Sequence, residues 1–142
     1  MIRRRTNSQN IRKVDELNTA IACDDKFVLS HLLAKDIDFN CHGSGGLFPV
    51  KVAVEHGNVY ALEALFQYGA NPNTIDLRDG FSPLMKALSD RFLPNRYQIV
   101  KSLLKQGTDV NIVSKGGKTA LYLARLYQPR YVSMLKRFGA VF

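Results

Sequence analysis

The sequence predicts an all-α fold, a solenoid of four helix-turn-helix repeats joined by turn or hairpin loops, on three observations. Alanine recurs at Ala20, Ala53, Ala87 and Ala124, at intervals of 33, 34 and 37 residues, which is the period of a two-helix solenoid unit. Apolar periodic runs end on Gly69, Gly107 and Gly139, where a residue that tolerates a left-handed backbone closes a helix with little strain. The composition, 46% hydrophobic and 23% charged over 142 residues, is that of about one ordinary globular domain with a modest core.

Taken in order, residues 1–13 read as a basic N-terminal segment, with Arg3, Arg4, Arg5, Arg12 and Lys13 and no acid, and residues 14–142 as a single repeat domain. Its repeats fall at approximately 14–42, 43–76, 77–113 and 114–142. The first, "LNTAIACDDKFVLSHLLAKDIDFN", has Asp36 where later copies close on glycine and reads as an N-terminal cap. Its Asp24-Asp25 pair reads as a helix-cap turn, and Asp15-Glu16 as a solvated face. The second and third place Pro49 and Pro83 in a first helical turn, where no amide hydrogen is needed. Asn40, Asn73 and Asn111 begin the turns that lead onward. The third repeat carries about four extra residues in "SDRFLPNRY", a longer loop between its helices. Pro129 marks the corresponding loop of the fourth, which also serves as the C-terminal cap.

These anchors resemble the ankyrin repeat, whose pattern runs roughly G-x-T-P-L-H-x-A-A-x-x-G-H and then V-x-x-L-L-x-x-G-A-D-x-N. Gly80-Phe81-Ser82-Pro83-Leu84 and Gly117-Lys118-Thr119-Ala120-Leu121 fill the opening, and Gly57-Asn58 the G-H position. Leu65-Phe66 with Gly69-Ala70-Asn71-Pro72-Asn73, and Leu103-Leu104 with Gly107-Thr108-Asp109-Val110-Asn111, fill the close. Lys51, Met85 and Tyr122 replace the family's histidine, which puts the rigidity of those turns in question. A tetratricopeptide array has a similar period but needs early large aromatics, and this chain has no Trp.

Catalytic and cofactor chemistry is not found in the sequence, and we expect no enzyme and no cofactor. Gly117-Lys118-Thr119 is half of a phosphate loop, but the partner glycine position holds Ile112, which cannot adopt a glycine backbone. His31, His42 and His56 have no metal-site spacing, and His31 reads as structural in a second helix. Cys41 reads as a turn residue, and "HGSGG" from His42 as a flexible turn tip. Two cysteines without a CxxC, no apolar run of membrane length and no secretory leader suggest a reduced, cytoplasmic setting.

What remains is a binding surface. The resemblance implies that turn tips and the exposed side of the first helices form a concave face for a protein partner. That face takes His42, Ser44 and Leu47 from the first junction, Ile75, Arg78 and Phe81 from the second, and Val113, Lys115 and Lys118 from the third. Glu55, His56, Asp90 and Tyr127 are candidates at the ends of the first helices. Leu47, Ile75, Leu77, Phe81, Ile112 and Val113 would give the face an apolar centre, with Phe81 and Tyr127 as aromatic anchors. The net charge of +8 sits at the two ends, since residues 115–142 add six bases and no acid while the middle holds nine bases and all twelve acids. An acidic protein partner suits this better than nucleic acid, which remains the alternative and predicts steep salt dependence. The expected molecule is a monomeric, freestanding adaptor or stoichiometric blocker, in a sharper version an inhibitor or immunity-type protein covering a toxin or enzyme.

Overall fold

The computed structural model describes residues 2–141, with side chains from position 8 onward. Among these residues eight α-helices run in order: α1 (Ile2–Ala22), α2 (Lys26–Leu33), α3 (Pro49–Glu55), α4 (Val59–Gln67), α5 (Pro83–Ser89), α6 (Arg96–Lys105), α7 (Ala120–Tyr127) and α8 (Val132–Arg137). Short 3-10 turns cover Ser44–Gly46 and Pro129–Tyr131, and no strand occurs among the described residues. The all-α reading of the sequence is therefore correct.

Each odd-numbered helix pairs with the even-numbered one that follows, and successive pairs stack. Odd helices pack more closely on one another than even helices do, which bends the stack with the odd row on its inner side. The recurring alanines permit that approach. Ala20, Ala53, Ala87 and Ala124 are all buried, and larger side chains there would push the layers apart. Leu29, Leu32, Leu62, Leu65, Leu103 and Leu135 supply apolar mass from the outer row.

Local chemistry sets the helix starts. Side chains of Asp25, Asn58, Ser82 and Thr119 each accept the amide hydrogen three residues on, capping α2, α4, α5 and α7. Pro49 and Pro83 occupy the first turns of α3 and α5, as the sequence suggests. Gly69, with φ 88°, takes the left-handed backbone that ends α4.

The asparagines do more than open turns. Asn40 Oδ1 accepts from Asn71 N at 2.7 Å, Asn73 Oδ1 from Asp109 N at 2.8 Å, and Asn111 Oδ1 from Val141 N at 3.1 Å. A ladder of side chains thus ties the close of each repeat to the close of the next, satisfying backbone groups that no helix reaches.

The boundary drawn at residues 13 and 14 falls inside α1. The helix is continuous, because Val14, Leu17 and Ile21 are buried on one face and Ile11 is half-buried in the same register. Asn10 exchanges two hydrogen bonds with the backbone of Asp38, at 2.9 and 2.8 Å, and Lys13 donates to the Asp36 carbonyl at 3.1 Å. These residues seal the end of the first repeat. Side chains of Arg3, Arg4 and Arg5 lie outside the described residues.

Candidate functional site

Three hairpin tips project from one edge of the stack, each closed by a backbone hydrogen bond: Gly43 N to Leu47 O, Asp76 N to Phe81 O, and Ser114 N to Lys118 O, at 2.9, 3.0 and 2.9 Å. The first is not a free glycine-rich tip. Ser44 donates to the Asp15 carboxylate through both its amide, at 2.7 Å, and its hydroxyl, at 2.6 Å, so Asp15 is a tether rather than a solvated face. His42 donates from Nδ1 to the Gly43 carbonyl at 2.8 Å and sets its ring edge-on to Phe48, with centroids 5.7 Å apart. Asn18 donates to the Leu47 carbonyl at 3.2 Å from inside the layer.

The second tip rests on a buried ion cluster. Lys51 and Asp76 are 4% and 3% exposed, and their side chains pair directly. Asp76 also accepts from Arg78 Nε at 3.2 Å, Arg78 Nη2 at 2.9 Å and the Arg78 amide at 2.7 Å. Glu55 lies 3.7 Å from Lys51. Burial pushes the Lys51 ammonium below the ordinary lysine range, against the pull of Glu55 and Asp79. Lys51 therefore replaces the lost histidine with a charge pair, Met85 fills the same slot by complete burial, and Tyr122 points outward.

Lys115 stitches the second and third tips together. Its amide donates to the Asp79 carbonyl at 3.1 Å and its ammonium to the Leu77 carbonyl. The ammonium is thus engaged within the platform, while Arg78 is oriented by Asp76 but keeps most of its side chain in solvent. Lys118 is half-buried, with its amide held by Ser114 Oγ at 3.1 Å.

The apolar candidates divide. Leu47, Phe81 and Ile112 fold back, half-buried, onto the core, so Phe81 offers only part of its ring. Ile75 is half-buried as well. Leu77 and Val113 project, each 59% exposed.

The candidates at the first-helix ends lie on the opposite edge, among the loops that join the two helices of a repeat. His56 is exposed and lines a polar hollow of about 340 Å³ with Asp24, Lys26 and Asn58. Glu55 belongs to the ion cluster, and the half-buried Asp90 accepts from Phe92 N at 3.1 Å. Tyr127, exposed, shares a separate hollow of about 460 Å³ with Arg91, Leu126 and Gln128. Phe92 stands beside it, and sequence reasoning overlooked it, although the surplus in "SDRFLPNRY" pointed to the segment.

Elsewhere, His31 is exposed on the outer row rather than structural. Cys23 and Cys41 are free thiols. Cys41 donates to Asp38 Oδ2 at 3.1 Å, and this hydrogen bond, with burial, raises its pKa. Among the described residues no cluster of three or more metal-ligating side chains forms, and no helix is long and apolar enough to cross a membrane.

The family model described as ankyrin repeats (3 copies) matches residues 17–114 and 52–139. Among curated proteins, the chain is similar to the palmitoyltransferase AKR1 of Lachancea kluyveri, 26% identical over 116 residues, covering 81% of this chain and 16% of that protein. It is 30% identical over 97 residues to the B-cell lymphoma 3 protein homolog of Mus musculus, covering 68% and 21% respectively. It is 29% identical over 127 residues to the ankyrin repeat protein nuc-2 of Neurospora crassa, covering 87% and 11%. The chain thus spans about a fifth or less of the length of these relatives.

Proposed function

The chain belongs to the ankyrin-repeat family, and from that premise we propose that it binds a protein partner carrying an acidic patch, as an adaptor or a stoichiometric blocker. Ankyrin repeats are in general protein-protein interaction modules. The observation that carries the finer reading is the stitched platform of the second and third tips. Leu77 and Val113 project from it beside Arg78 and Lys118. Asp76 is occupied by Lys51 and Arg78, and Asp79 accepts from the Phe81 amide at 2.8 Å. An apolar centre rimmed by cations favours a partner surface with the opposite arrangement.

The test is affinity capture from native lysate with mass spectrometry, then calorimetry of the purified pair. Arg78→Ala, Val113→Ser and Lys118→Ala together should weaken binding at least about thirtyfold, as removal of several central contacts does. Lys115 is left in place because it holds the tips together. Equal affinity for the folded triple variant would disprove the assignment. A blocker additionally lowers the partner's activity at one equivalent, whereas an adaptor leaves it unchanged.

A second reading, nucleic-acid binding, draws on the six bases and absent acids of residues 115–142. Retardation of an oligonucleotide that collapses between two salt concentrations would support it.

A further inference from the structure

We propose that the opposite edge of the stack is a second anchor, in which Phe92 and the hollow lined by Arg91, Leu126, Tyr127 and Gln128 take a protein segment presenting an apolar side chain beside carboxylates. This rests on the protein-binding reading above, and it adds a separate surface and a partner chemistry.

The connection between α5 and α6 is six residues, 90–95, against three, 56–58, between α3 and α4. The extra chain is held at many points. Phe92 N donates to Asp90 Oδ1 at 3.1 Å, and Arg96 donates from Nε to the Ala87 carbonyl at 3.0 Å and from Nη2 to the Asp90 carbonyl. Asn95, left-handed with φ 58°, reaches back to the Gly57 carbonyl at 3.0 Å. Leu93 is buried. With Leu93 turned inward, its neighbour is turned out, and Phe92 is 86% exposed. An aromatic side chain on a segment ordered by its own hydrogen bonds can dock with little further loss of backbone freedom.

The adjoining surface is apolar where the two preceding repeats are polar. At the ends of the first helices, Glu55-His56 in the second repeat and Ser89-Asp90 in the third correspond to Leu126-Tyr127 in the fourth, exposed by 54% and 44%. Because α5 and α7 pack side by side, this pair lies next to the long connection, and Arg91 links the two by lining the hollow while its guanidinium stands 5.8 Å from the Phe92 ring.

Charge selects the occupant. Arg91 lines the hollow, Arg125 and Arg130 flank it in sequence, and residues 115–142 contribute no carboxylate. The nearby acid, Asp90, is engaged with the Phe92 amide. Carboxylates on the incoming segment would meet three arginines against that single acid.

The test uses the full chain as bait for a displayed random-peptide library, followed by anisotropy measurements on synthetic versions of the enriched peptides. Four variants of confirmed helicity are compared: Phe92→Ser, Leu126→Ser with Tyr127→Ala, Arg91→Glu, and, at the hairpin edge, Arg78→Ala with Lys118→Ala. The expected result is peptides with an apolar residue flanked by Asp or Glu. They should bind at least about tenfold more weakly to the first three variants and unchanged to the fourth. Peptides lost only in the hairpin variant overturn this proposal and leave the hairpin reading standing. Peptides indifferent to all four variants remove both surfaces. Basic or uncharged peptides, or no enrichment, overturn the stated chemistry. A concentration-dependent dimer abolished by Phe92→Ser would assign the surface to a second copy instead, and an oligonucleotide displaced by the same variants would assign it to nucleic acid.

Discussion

The Lys51–Asp76 pair invites a graft within the molecule itself. Lys51 is the third residue of α3 and Met85 the third of α5. Asp76 and Ser114 occupy equivalent places, each donating the backbone bond that closes its hairpin and each accepting from a nearby amide with its side chain, at 2.7 Å and 3.1 Å. Lys51→Met with Asp76→Ser therefore copies the chemistry of one junction onto the preceding one. Removing one partner of a buried ion pair costs about 3–5 kcal/mol, whereas replacing the whole pair by well-packed groups is often neutral or stabilising.

The structure orders the single variants. Lys51→Met leaves Asp76 with two bonds from the Arg78 guanidinium, so its cost should fall near about 2–3 kcal/mol. Asp76→Ser leaves the buried Lys51 ammonium with the half-buried Glu55 at 3.7 Å and the pull of Asp79 but no direct partner, and should reach the upper part of the range, about 4 kcal/mol. The double variant should lie within about 1 kcal/mol of the parent, a coupling well above the few tenths expected of independent sites. Urea unfolding with unchanged m values is the assay, supported by a melting temperature roughly 10 °C lower in each single variant. Additive effects within about 0.5 kcal/mol, or single variants that cost under about 1 kcal/mol, would refute the reasoning.

Asn73 uses its carbonyl to accept from Thr108 Oγ1 and Asp109 N, both at 2.8 Å, so Asn73→Ala should cost about 1–3 kcal/mol in chemical denaturation while Asn73→Asp keeps the acceptor and costs less. Asn111 also donates to the Gly139 carbonyl at 3.0 Å, and Asn111→Asp should be the worse of the two Asp variants by roughly 1 kcal/mol. A methyl group on Gly57, φ 61°, would meet the Pro94 carbonyl oxygen at 2.4 Å, while one on Gly69, φ 88°, meets nothing within 4 Å. Both Ala variants should lose about 1–2 kcal/mol for the left-handed backbone, and Gly57→Ala should melt several degrees lower still. In a Cys23→Ser background, the pH profile of Cys41 alkylation should lie to higher pH than that of an ordinary thiol, because Asp38 holds the proton. Asp38→Asn moves it downward and raises the rate at pH 8 by about threefold or more, since the thiolate is the nucleophile.

Residues whose job is local were readable from the chain. Pro49, Pro83 and Gly69 act on their own backbone, and each sits where the pattern placed it. The asparagines were half readable: that Asn73 opens a turn is local, but its partner Asp109 lies 36 residues on, fixed only once the repeats stack. The role of Lys51 was half readable for the same reason. Its place in the family's histidine position is visible in the chain, but only the stacked layer shows it facing Asp76. The span of α1 could have been extended on the spacing of Ile11, Val14, Leu17 and Ile21, which the density of Arg and polar residues before it obscured.

The hairpin tips themselves were legible in the chain and the exposure of their side chains poorly so, because hydrophobicity alone does not say which way a residue turns. Leu77 and Phe81 share one hairpin, yet Phe81 donates its amide to Asp79 and its carbonyl closes the turn onto Asp76, which lays the ring on the core, while Leu77 lies outward. Phe92 and Leu93 pose the same problem in two letters. A six-residue connection spanning two helix ends can bury one of two adjacent apolar side chains, and Leu93 goes in. The outward residue is then the aromatic one, placed by the inward packing of its neighbour, so a Leu93→Ser variant should disturb the Phe92 surface as surely as altering Phe92 itself. Loss of peptide binding in that variant, with helicity retained, would separate presentation of the ring from its mere presence.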